Sequence, residues 1–316
     1  MRHGKLSSHN SICPLCSNHE QQEVWFKGCP NQNLSRITAI CFANDFMLES
    51  TLCHCPICDF GYFYPRPTAD FLQKFYGSDG GVTSNEGDAE RMNSLGSHTF
   101  KADRDQIFGL VEQLSSAQVL HADRRVLEIG PGYSTYAQLF IEKGMDYWAC
   151  EPGKETAEFL ARNFISTVIN AGLEQLSEKL DHSFDLVFTK DSLEHHLDPR
   201  YSIIKAFRLV KPGGYLVIVV PNLNSRSLRQ YSVIHPYFAF PAHLNYFSPN
   251  SIERVFQDVG ANKIRMSTFT LAPEIFYCME AGIKYSDMKP LGSYLDSLSN
   301  SDMHERICVV VHKAQY

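Results

Sequence analysis

The sequence has no hydrophobic run that is long enough to cross a membrane. The longest strand-like apolar run is LVIVV at 216–220, whereas a membrane-spanning helix needs about 20 apolar residues. The first residues, MRHGKLSSHNSICPLC, also lack the apolar core of a secretory signal peptide. We therefore expect a cytoplasmic protein that does not associate with membranes.

Runs of lysine and arginine are also absent, and the formal net charge of the chain is −6. A basic patch is the usual electrostatic footprint of nucleic-acid binding, so its absence argues against a nucleic-acid partner. The sequence contains no internal repeat and no low-complexity tract, and 44% of its residues are hydrophobic. This composition predicts a globular protein with a sizeable core, and it does not indicate an oligomeric state.

Cysteine, by contrast, is abundant at one end of the chain. Seven of the ten cysteines lie at or before position 58. In a cytosolic protein such clustering favours a metal site over disulfide bonds. The turn-like run PRPT at 65–68 closes this region. We predict a cysteine-rich module over 1–68, a helical linker or lid over 69–122, and a core over 123–316.

Two C-x-x-C knuckles of similar sequence, CPLC and CPIC, lie within the module. Each knuckle can supply two thiolates to one tetrahedral zinc ion, so we predict a zinc site formed by Cys13, Cys16, Cys55 and Cys58. Four thiolates leave no open coordination position, which indicates a structural role for the metal. Reduced structural cysteines are the alternative to a metal site. Other candidate ligands in this region are Cys29, Cys41, Cys53 and His54.

A strand–helix alternation begins near residue 125 and predicts a doubly wound, Rossmann-like α/β fold with a parallel sheet. The predicted strands are 125–129, 146–150, 166–170, 184–189 and 214–220. The predicted helices between them are 133–143, 153–163, 173–179 and 199–210. Outside this stretch we predict helices at 69–76, 99–121 and 250–259, and strands at 262–270 and 306–313.

The first of these strands leads into a glycine turn with the sequence VLEIGPGYST. Gly130 and Gly132 allow unusual backbone angles and a close approach of a ligand to the main chain. Thr135 stands where a dinucleotide-binding turn has its third glycine, which argues against a dehydrogenase. Glu151 closes the second strand, where an acid can bond ribose hydroxyls. An ordinary strand-to-helix turn, capped by Glu128, is the simpler alternative.

Four segments in order resemble class I S-adenosylmethionine (SAM)-dependent methyltransferases: VLEIGPG, the acid Glu151, FDLVFTKDSLEHHLDP and LVKPGGYLVIVVPN. The resemblance covers roughly residues 100–270 and implies SAM as the cofactor. It places Glu128, Gly130 and Gly132 beside the methionine part of SAM and Glu151 on its ribose. Glu128 would then face the ammonium group of SAM, directly or through water.

The remaining cofactor-binding candidates are Leu173 and Lys190. Relatives often place an aspartate near the end of the third strand to bond the adenine amino group, whereas this chain has Gly172 there. Leu173 is therefore expected to pack against the adenine. Lys190 ends the fourth strand, at the edge of the sheet where we expect SAM. Ser134 replaces a glycine that is common in relatives, and we expect only a slightly altered turn.

The N-terminal module resembles the zinc module of sugar C-methyltransferases. The resemblance rests on the two knuckles and on CDFGYFYPRPTADFLQKFY. It implies a small-molecule or sugar acceptor. The large C-terminal domain of those enzymes is not evident in this sequence, so their specific reaction is not implied.

Two segments are expected on the acceptor side: KDSLEHH after the fourth strand, and YSVIHPYFAFPAHLNYF, at 231–247, after the fifth. The resemblance makes Glu194, His195 and His243 the catalytic candidates, because histidine can accept a proton near neutral pH. Three adjacent residues, Glu194 to His196, cannot all face one cleft. A fold-holding role is the alternative for Glu194 and His195. For the aromatic segment with His235, the alternative is a flap that only packs on the sheet.

The sequence therefore predicts a SAM-dependent methyltransferase that acts on a small molecule or sugar. One alternative is an RNA or protein methyltransferase that uses the zinc module for docking, and a basic face on the folded protein would favour it. The other alternative is a zinc-containing protein that binds SAM without catalysis. Turnover of SAM with an acceptor separates this last alternative from the other two.

Overall fold

The computed structural model describes residues 11–19, 22–27, 50–76, 87–115, 119–133, 135–225, 228, 242–261, 263–269 and 304–315. Within these residues the chain forms one sheet of four strands and one of seven. The aromatic segment at 231–247 lies largely outside the described residues, and His235 lies wholly outside them. No helix of the described part is long and apolar enough to span a membrane.

The smaller sheet is antiparallel and contains β1 (Glu23–Lys27), β2 (Thr51–Cys55), β3 (Phe60–Tyr64) and β9 (Asn245–Tyr246), in that order. Its last strand comes from a part of the chain almost two hundred residues away from the first three. The N-terminal module therefore shares a sheet with a strand from the predicted core region, and the domain boundaries stay a prediction.

Three helices connect the two sheets: α1 (Ala69–Tyr76), α2 (Asp88–Leu95) and α3 (His98–Leu114). The hydroxyl of Ser97 caps α3 by accepting a hydrogen bond from the Phe100 N–H at 3.3 Å. The predicted helix at 99–121 is too long, since α3 ends at Leu114. Helix α2 was not predicted, because it contains only two large apolar residues, Met92 and Leu95.

The larger sheet has the strand order β10-β11-β8-β7-β4-β5-β6. The strands are β4 (Arg125–Ile129), β5 (Asp146–Cys150), β6 (Thr167–Ile169), β7 (Phe184–Lys190), β8 (Val210–Pro221), β10 (Ile264–Phe269) and β11 (Arg306–His312). Strands β4 to β8 are parallel, whereas β11 is antiparallel to β8 and β10 is antiparallel to β11. The helices are α4 (Ala137–Glu142), α5 (Lys154–Asn163), α6 (Pro199–Leu209) and α7 (Pro249–Asp258).

Both faces of this sheet are buried, because successive side chains of its strands point to opposite layers. One layer contains Leu127 and Val187 and packs against α6 and α7. The other layer contains Val126 and Leu186 and packs against α3, α4 and α5. The predicted doubly wound Rossmann-like α/β fold is therefore confirmed, and the sheet is mixed owing to β10 and β11.

Part of the N-terminal module belongs to the first of these layers. The buried side chains of Cys13, Leu15, Cys55 and Phe60 lie in the same hydrophobic cluster as β7 and α6. This part of the module therefore packs in the same cluster as the larger sheet, whereas Leu52 and Phe63 lie in a smaller cluster with Leu223 and Tyr246.

Two predicted elements differ in the structure. The predicted helix at 173–179 is wrong, since two short 3₁₀ turns occupy Leu173–Gln175 and Glu178–Leu180. The hydroxyl of Ser177 accepts a hydrogen bond from the Lys179 N–H, and this local bond competes with a continuous helix. Strand β8 begins at Val210 rather than at 214. A register shift between β7 and β8 accommodates the Pro-Gly-Gly run within it.

The sheet order reverses at β4. The chain runs from β4 outward to β5 and β6, and then returns to the other side of β4 to form β7 and β8. In open α/β sheets the crevice at such a switch point, outside the carboxyl ends of the strands, is where ligands bind. The predicted cofactor-binding residues lie at or just after the ends of β4, β5, β6 and β7 at this edge.

Candidate active site

The two glycines of the turn after β4 are required for different reasons. Gly130 and Gly132 have φ of 61° and 54°, in the left-handed region that favours glycine. A Cβ on Gly130 would collide with the Ser192 side chain. A Cβ on Gly132 would meet no atom within 4 Å. Gly130 is therefore needed for packing between two strand ends, while Gly132 borders open space that a ligand can occupy.

Glu151 reaches this turn from the end of β5. Its Oε2 accepts a hydrogen bond from the Gly132 N–H at 3.1 Å, and its Oε1 accepts one from the Gly153 N–H at 2.8 Å. The residue is 7% exposed. Burial raises the pKa of its carboxyl, and the two backbone donors offset part of that rise. The structure thus brings together the predicted ribose-binding acid and the glycine turn.

Glu128 is buried beneath the turn, and the chain itself supplies hydrogen-bond donors to both of its oxygens. Its Oε2 accepts from the hydroxyls of Thr135 at 3.0 Å and Tyr147 at 2.6 Å, and both oxygens lie 3.2 Å from the Tyr136 N–H. Burial raises the pKa of Glu128 to about 7, although these donors act against the rise. Glu128 therefore ties β4 to the start of α4, and its contact with the SAM ammonium group stays a prediction.

Leu173 is buried at the start of the 3₁₀ turn that follows β6, and it lies in the hydrophobic layer that also contains Cys150. The nearby Asn170 amide donates to the carbonyls of Glu151 at 2.9 Å and Pro152 at 3.1 Å. These bonds connect the end of β6 to the end of β5. The segment that leads into Leu173 is thus joined to the chain at Glu151.

Lys190 belongs to a buried charge network at the end of β7. Its Nζ lies 2.7 Å from Asp191 and 3.7 Å from Asp103, which also accepts a hydrogen bond from the Tyr136 hydroxyl at 2.7 Å. Arg306 on β11 pairs with Asp191. Burial, and then the positive charge of Arg306, lower the pKa of Lys190 to about 8. Sequence reasoning missed this network, because its members come from four distant segments.

Glu194, His195 and His243 form a cluster on the acceptor side. The first two lie in a 3₁₀ turn, Leu193–His195, and one potential ligand atom of each of the three residues lies within 4.8 Å of the others. The two histidine rings meet edge to face with centroids 4.8 Å apart. His195 Nδ1 lies 2.7 Å from the Ala242 carbonyl. Since a carbonyl only accepts, Nδ1 carries the proton and the electron pair of the neutral ring is on Nε2.

Glu194 is buried and the two histidines are partly buried, and this changes the proton affinities of Glu194 and His195. Glu194 is 1% exposed, and neither of its carboxylate oxygens accepts a hydrogen bond from another residue of the described part. Burial raises the pKa of Glu194 to about 8 and lowers the pKa of His195 to about 4. At neutral pH His195 is therefore an uncharged imidazole.

Hydrogen bonds from Asn245 of β9 and from Arg66 of the N-terminal module hold the turn that carries Glu194 and His195. The Asn245 amide donates to the carbonyls of Leu193 and Glu194 at 3.2 Å and of His196 at 2.7 Å. The buried Arg66 guanidinium, just after β3, donates to the His196 carbonyl and to Asn245 Oδ1, both at 2.9 Å. Sequence reasoning missed both residues, although each lies within a segment that the resemblances had identified.

His196 faces away from the cluster and toward α6. Its Nδ1 lies 2.8 Å from the Ser202 hydroxyl and 3.2 Å from Glu174 Oε1, and its Nε2 lies 3.3 Å from the Ser192 hydroxyl. The three consecutive residues from Glu194 to His196 thus do not share one side of the chain. Among them, His196 links the end of β7 to the next helix.

The four knuckle cysteines converge on one point. The Sγ atoms of Cys13 and Cys58 are 3.7 Å apart, as are those of Cys16 and Cys55, and all four lie within 4.8 Å of one another. These distances exclude disulfide bonds, whose sulfur atoms are about 2.05 Å apart. They match the sulfur–sulfur separation of about 3.8 Å that follows from Zn–S bonds of about 2.3 Å in a tetrahedron. The cluster could hold a divalent metal.

Electrostatics in the cluster also favours a cation. Hydrogen bonding to the neighbouring thiols, Cys13 first, raises the pKa of Cys58, and burial and the charges of the same thiols add to the rise. The alternative ligands lie elsewhere: Cys53 Sγ is near Ser11, and His54 bonds Glu23 and Asp59, each at 3.0 Å. Cys29 and Cys41 lie outside the described residues.

Similar solved structures include two SAM-dependent methyltransferases. One, from Thermotoga maritima, is described as a possible histamine N-methyltransferase; it is 19% identical, with a TM-score of 0.47, covering 72% of this chain and 98% of that one. The other, from Archaeoglobus fulgidus, is 17% identical, with a TM-score of 0.47, covering 70% of this chain and 99% of that one.

Curated relatives include ubiquinone biosynthesis O-methyltransferases. The protein from Vibrio cholerae is 30% identical over 109 residues, which are 33% of this chain and 44% of the relative. The protein from Pseudomonas fluorescens is 26% identical over 111 residues, which are 34% of this chain and 48% of the relative. The chain spans less than half the length of these relatives.

A family model described as a methyltransferase domain matches residues 100–265. The match includes the glycine turn, Glu151 and the turn with Glu194 and His195. It covers more than half of the 316 residues. The chain therefore belongs to the family of methyltransferase domains.

Proposed function

We propose that the protein is a SAM-dependent methyltransferase that acts on a small-molecule or sugar acceptor. The observation that carries this proposal is the contact between Glu151 and the Gly132 N–H at the switch point of the sheet. A buried carboxylate there borders the open space over Gly132. This combination suits a ligand that offers hydroxyl groups to the acid and a polar chain to the turn.

SAM fits the donor groups of this edge. Its ribose hydroxyls would be held by Glu151, its methionine part would lie over Gly132, and its adenine would pack against Leu173. Lys190, at the end of β7, would complete the polar wall of the cofactor site. When bound, SAM supplies a methyl group on a sulfonium, which an electron-rich atom of the acceptor attacks. The chain contributes by holding the two reactants in line, which can account for much of the rate acceleration.

The acceptor would lie on the side of Glu194, His195 and His243. These residues follow β7 and flank β9, next to the strand that carries the glycine turn. An uncharged histidine there can accept a proton from an acceptor hydroxyl or acidic carbon, or it can orient the acceptor by hydrogen bonding. Either role places the reacting groups at the carboxyl edge of the sheet.

The N-terminal module would hold one zinc ion through Cys13, Cys16, Cys55 and Cys58. The tetrahedral spacing of the sulfur atoms supports this assignment. The role of the metal would be structural, because four thiolates fill its coordination shell. Through Arg66, which bonds Asn245 of β9, the module would also hold the acceptor-side turn in place.

The net charge of the chain and the names of its curated relatives support a small-molecule acceptor. The net charge is −6 and no basic run is present, which disfavours a nucleic-acid substrate. The curated relatives are named as ubiquinone biosynthesis O-methyltransferases, a name that supports a small-molecule acceptor. We therefore favour a small-molecule acceptor over a macromolecule.

The test is transfer of label from methyl-labelled SAM into a pool of small metabolites and sugars. We expect a labelled small product with the wild-type protein and none with Glu151→Ala at the same SAM concentration. A matched control is Glu155→Ala, since Glu155 is exposed in the first turn of α5. Label that enters only protein or RNA would contradict the acceptor class. The absence of SAM binding in the wild-type protein would contradict the methyltransferase proposal itself.

A further inference from the structure

The Glu194 carboxylate is in a position that requires a cationic or protonated partner. It is 1% exposed, and in the described part neither oxygen accepts a hydrogen bond from another residue. A buried carboxylate without a partner is costly. Lys190 ends β7, the strand that leads into this turn, but it is paired with Asp191 and Asp103. Within the described residues, both carboxylate oxygens of Glu194 can therefore still bind a cation.

Two imidazoles converge on this carboxylate. Glu194, His195 and His243 each offer one ligand atom, and these three atoms lie within 4.8 Å of one another. Metal bonds of about 2.0–2.2 Å in a tetrahedral site place such atoms about 3.3 Å apart. Side-chain rotation that moves the atoms by about 1.5 Å or less is therefore sufficient to close the site. One carboxylate and two imidazoles form a ligand set of catalytic metal sites, which keep a coordination position open.

The surroundings of His195 support a ligand role. Its Nδ1–H donates to the Ala242 carbonyl at 2.7 Å, so Nε2 carries the electron pair that a metal needs. Metal-binding histidines generally donate their second N–H to a carbonyl or carboxylate in this way, which fixes the ring orientation. The backbone is also fixed, because the Leu244 N–H donates to the Glu194 carbonyl at 2.8 Å. That bond ties the segment of His243 to the turn of Glu194 and His195.

We propose that Glu194, His195 and His243 form a second metal site, which binds a divalent first-row transition ion. It differs from the four-cysteine site in its donors, because nitrogen and oxygen replace sulfur. Three protein ligands leave room for water or an acceptor oxygen. Only the binding of an acceptor oxygen at this position rests on the proposed methyltransferase function. With a metal bound, the two histidines orient the acceptor as ligands and do not act as bases.

The experiment uses Co²⁺ alone, added to the full chain whose cysteine site is already loaded with zinc, without SAM or acceptor. Calorimetry and visible absorption follow the titration. We expect one Co²⁺ per chain in addition to the zinc, with weak visible bands and no thiolate charge-transfer band, because no sulfur is bound. Glu194→Gln keeps the shape of the side chain and removes its charge, and it should weaken Co²⁺ binding by at least about 10-fold.

Two further variants make the result specific. His243→Asn should weaken Co²⁺ binding as Glu194→Gln does, and it tests the proposal independently if Glu194→Gln does not fold. His196→Asn is the matched control: it alters the next residue of the same turn, but His196 faces Ser202 and Glu174, so Co²⁺ binding should be unchanged.

Equal Co²⁺ affinity in the wild type and in both ligand variants would overturn the proposal. So would the absence of any bound ion beyond the cysteine site. Because the titration contains no SAM, its outcome is independent of whether the protein transfers methyl groups.

Discussion

The backbone N–H of Gly132 donates a hydrogen bond to Oε2 of Glu151 across 3.1 Å, which joins the end of β4 to the end of β5. Replacing Glu151 by Ala removes this acceptor and the proposed ribose contacts. We expect SAM or its demethylated product to bind about 1.5–3 kcal/mol more weakly, which is roughly 10- to 150-fold in Kd. Calorimetry with the demethylated product measures this change.

The control for this experiment is Glu155→Ala, on the exposed side of α5, which should bind as the wild type does. Wild-type affinity in the Glu151 variant would remove the ribose assignment. It would also show that the Gly132 contact serves the fold alone.

The two glycines of the turn should respond differently to alanine. Gly130→Ala introduces a Cβ into the Ser192 side chain, so it should lower the free energy of unfolding by about 1–3 kcal/mol through overpacking, beyond the cost of its positive φ. Gly132→Ala meets no neighbour and should cost only about 1–2 kcal/mol from φ. It places a methyl group in the ligand space, however, and should weaken SAM binding more than its effect on stability suggests. Urea unfolding and calorimetry together separate these effects, and equal effects on both quantities in both variants would contradict our distinction.

The regular part of the fold could be predicted from the sequence because its signals are local. The strands at 125–129 and 146–150 match their predicted bounds, since each is a short apolar run that ends at a polar or glycine residue. Asp198 caps α6 as its position before Pro199 predicts, accepting from the Tyr201 N–H at 2.8 Å. The segment at 173–179 was mistaken for a helix because it has apolar residues at helical spacing. Its polar residues instead bond the local backbone.

The candidate site was predictable only in its individual parts. The glycines, Glu151 and the cysteine knuckles lie in recognisable short motifs, so the sequence identifies them without the fold. The contacts of Arg66 with His196 and Asn245 join segments that are more than a hundred residues apart. No local pattern reports such a contact, because it depends on how the small sheet docks onto the larger one.

Glu128 should make the stability of the protein depend on pH. Burial raises its pKa in the folded state to about 7, from an ordinary value of 4.5. Because the pKa is raised, the protonated Glu128 carboxyl contributes its full stabilisation of the folded state below about pH 4.5. This contribution is lost as the pH rises through 7. Glu128→Gln cannot ionise. The stability of the wild type relative to this variant should therefore fall by up to about 3 kcal/mol between pH 4.5 and 8.

Urea unfolding at several pH values measures this difference. The other titrating groups are common to both proteins, so their contributions cancel. Parallel pH profiles in the two proteins would show that Glu128 does not change its protonation state in this range. Glu155→Gln, on an exposed carboxyl, is the control and should run parallel to the wild type.

Removal of zinc should destabilise the whole protein and not only the N-terminal module. The cysteines lie outside the larger sheet, but Cys13 and Cys55 are buried in the same hydrophobic layer as β7 and α6. We expect one zinc per chain, and a strong chelator should lower the free energy of unfolding by several kcal/mol in a single transition.

The Cys58→Ser variant should lose the zinc. Cys53→Ser should retain it, because Cys53 is buried outside the four-sulfur cluster. Protein purified without chelator that contains no zinc would contradict the assignment, and two separate thermal transitions would contradict the shared core.

The roles of His195 and His243 can be separated by replacing each with Asn, which keeps much of the shape and removes the basic nitrogen. Neither variant should change SAM affinity, because both residues lie on the acceptor side of the sheet edge. Loss of a general base typically slows a reaction by about 10²–10⁴-fold, and only one of the two residues can be the base. A large loss of single-turnover rate in one variant alone therefore identifies a base.

Similar losses of rate in both histidine variants and in Glu194→Gln are the expected pattern for three ligands of one metal ion. If both histidine variants bind SAM and transfer the methyl group at the wild-type rate, neither residue takes the proton or holds the acceptor, and the acceleration comes from positioning by the rest of the site.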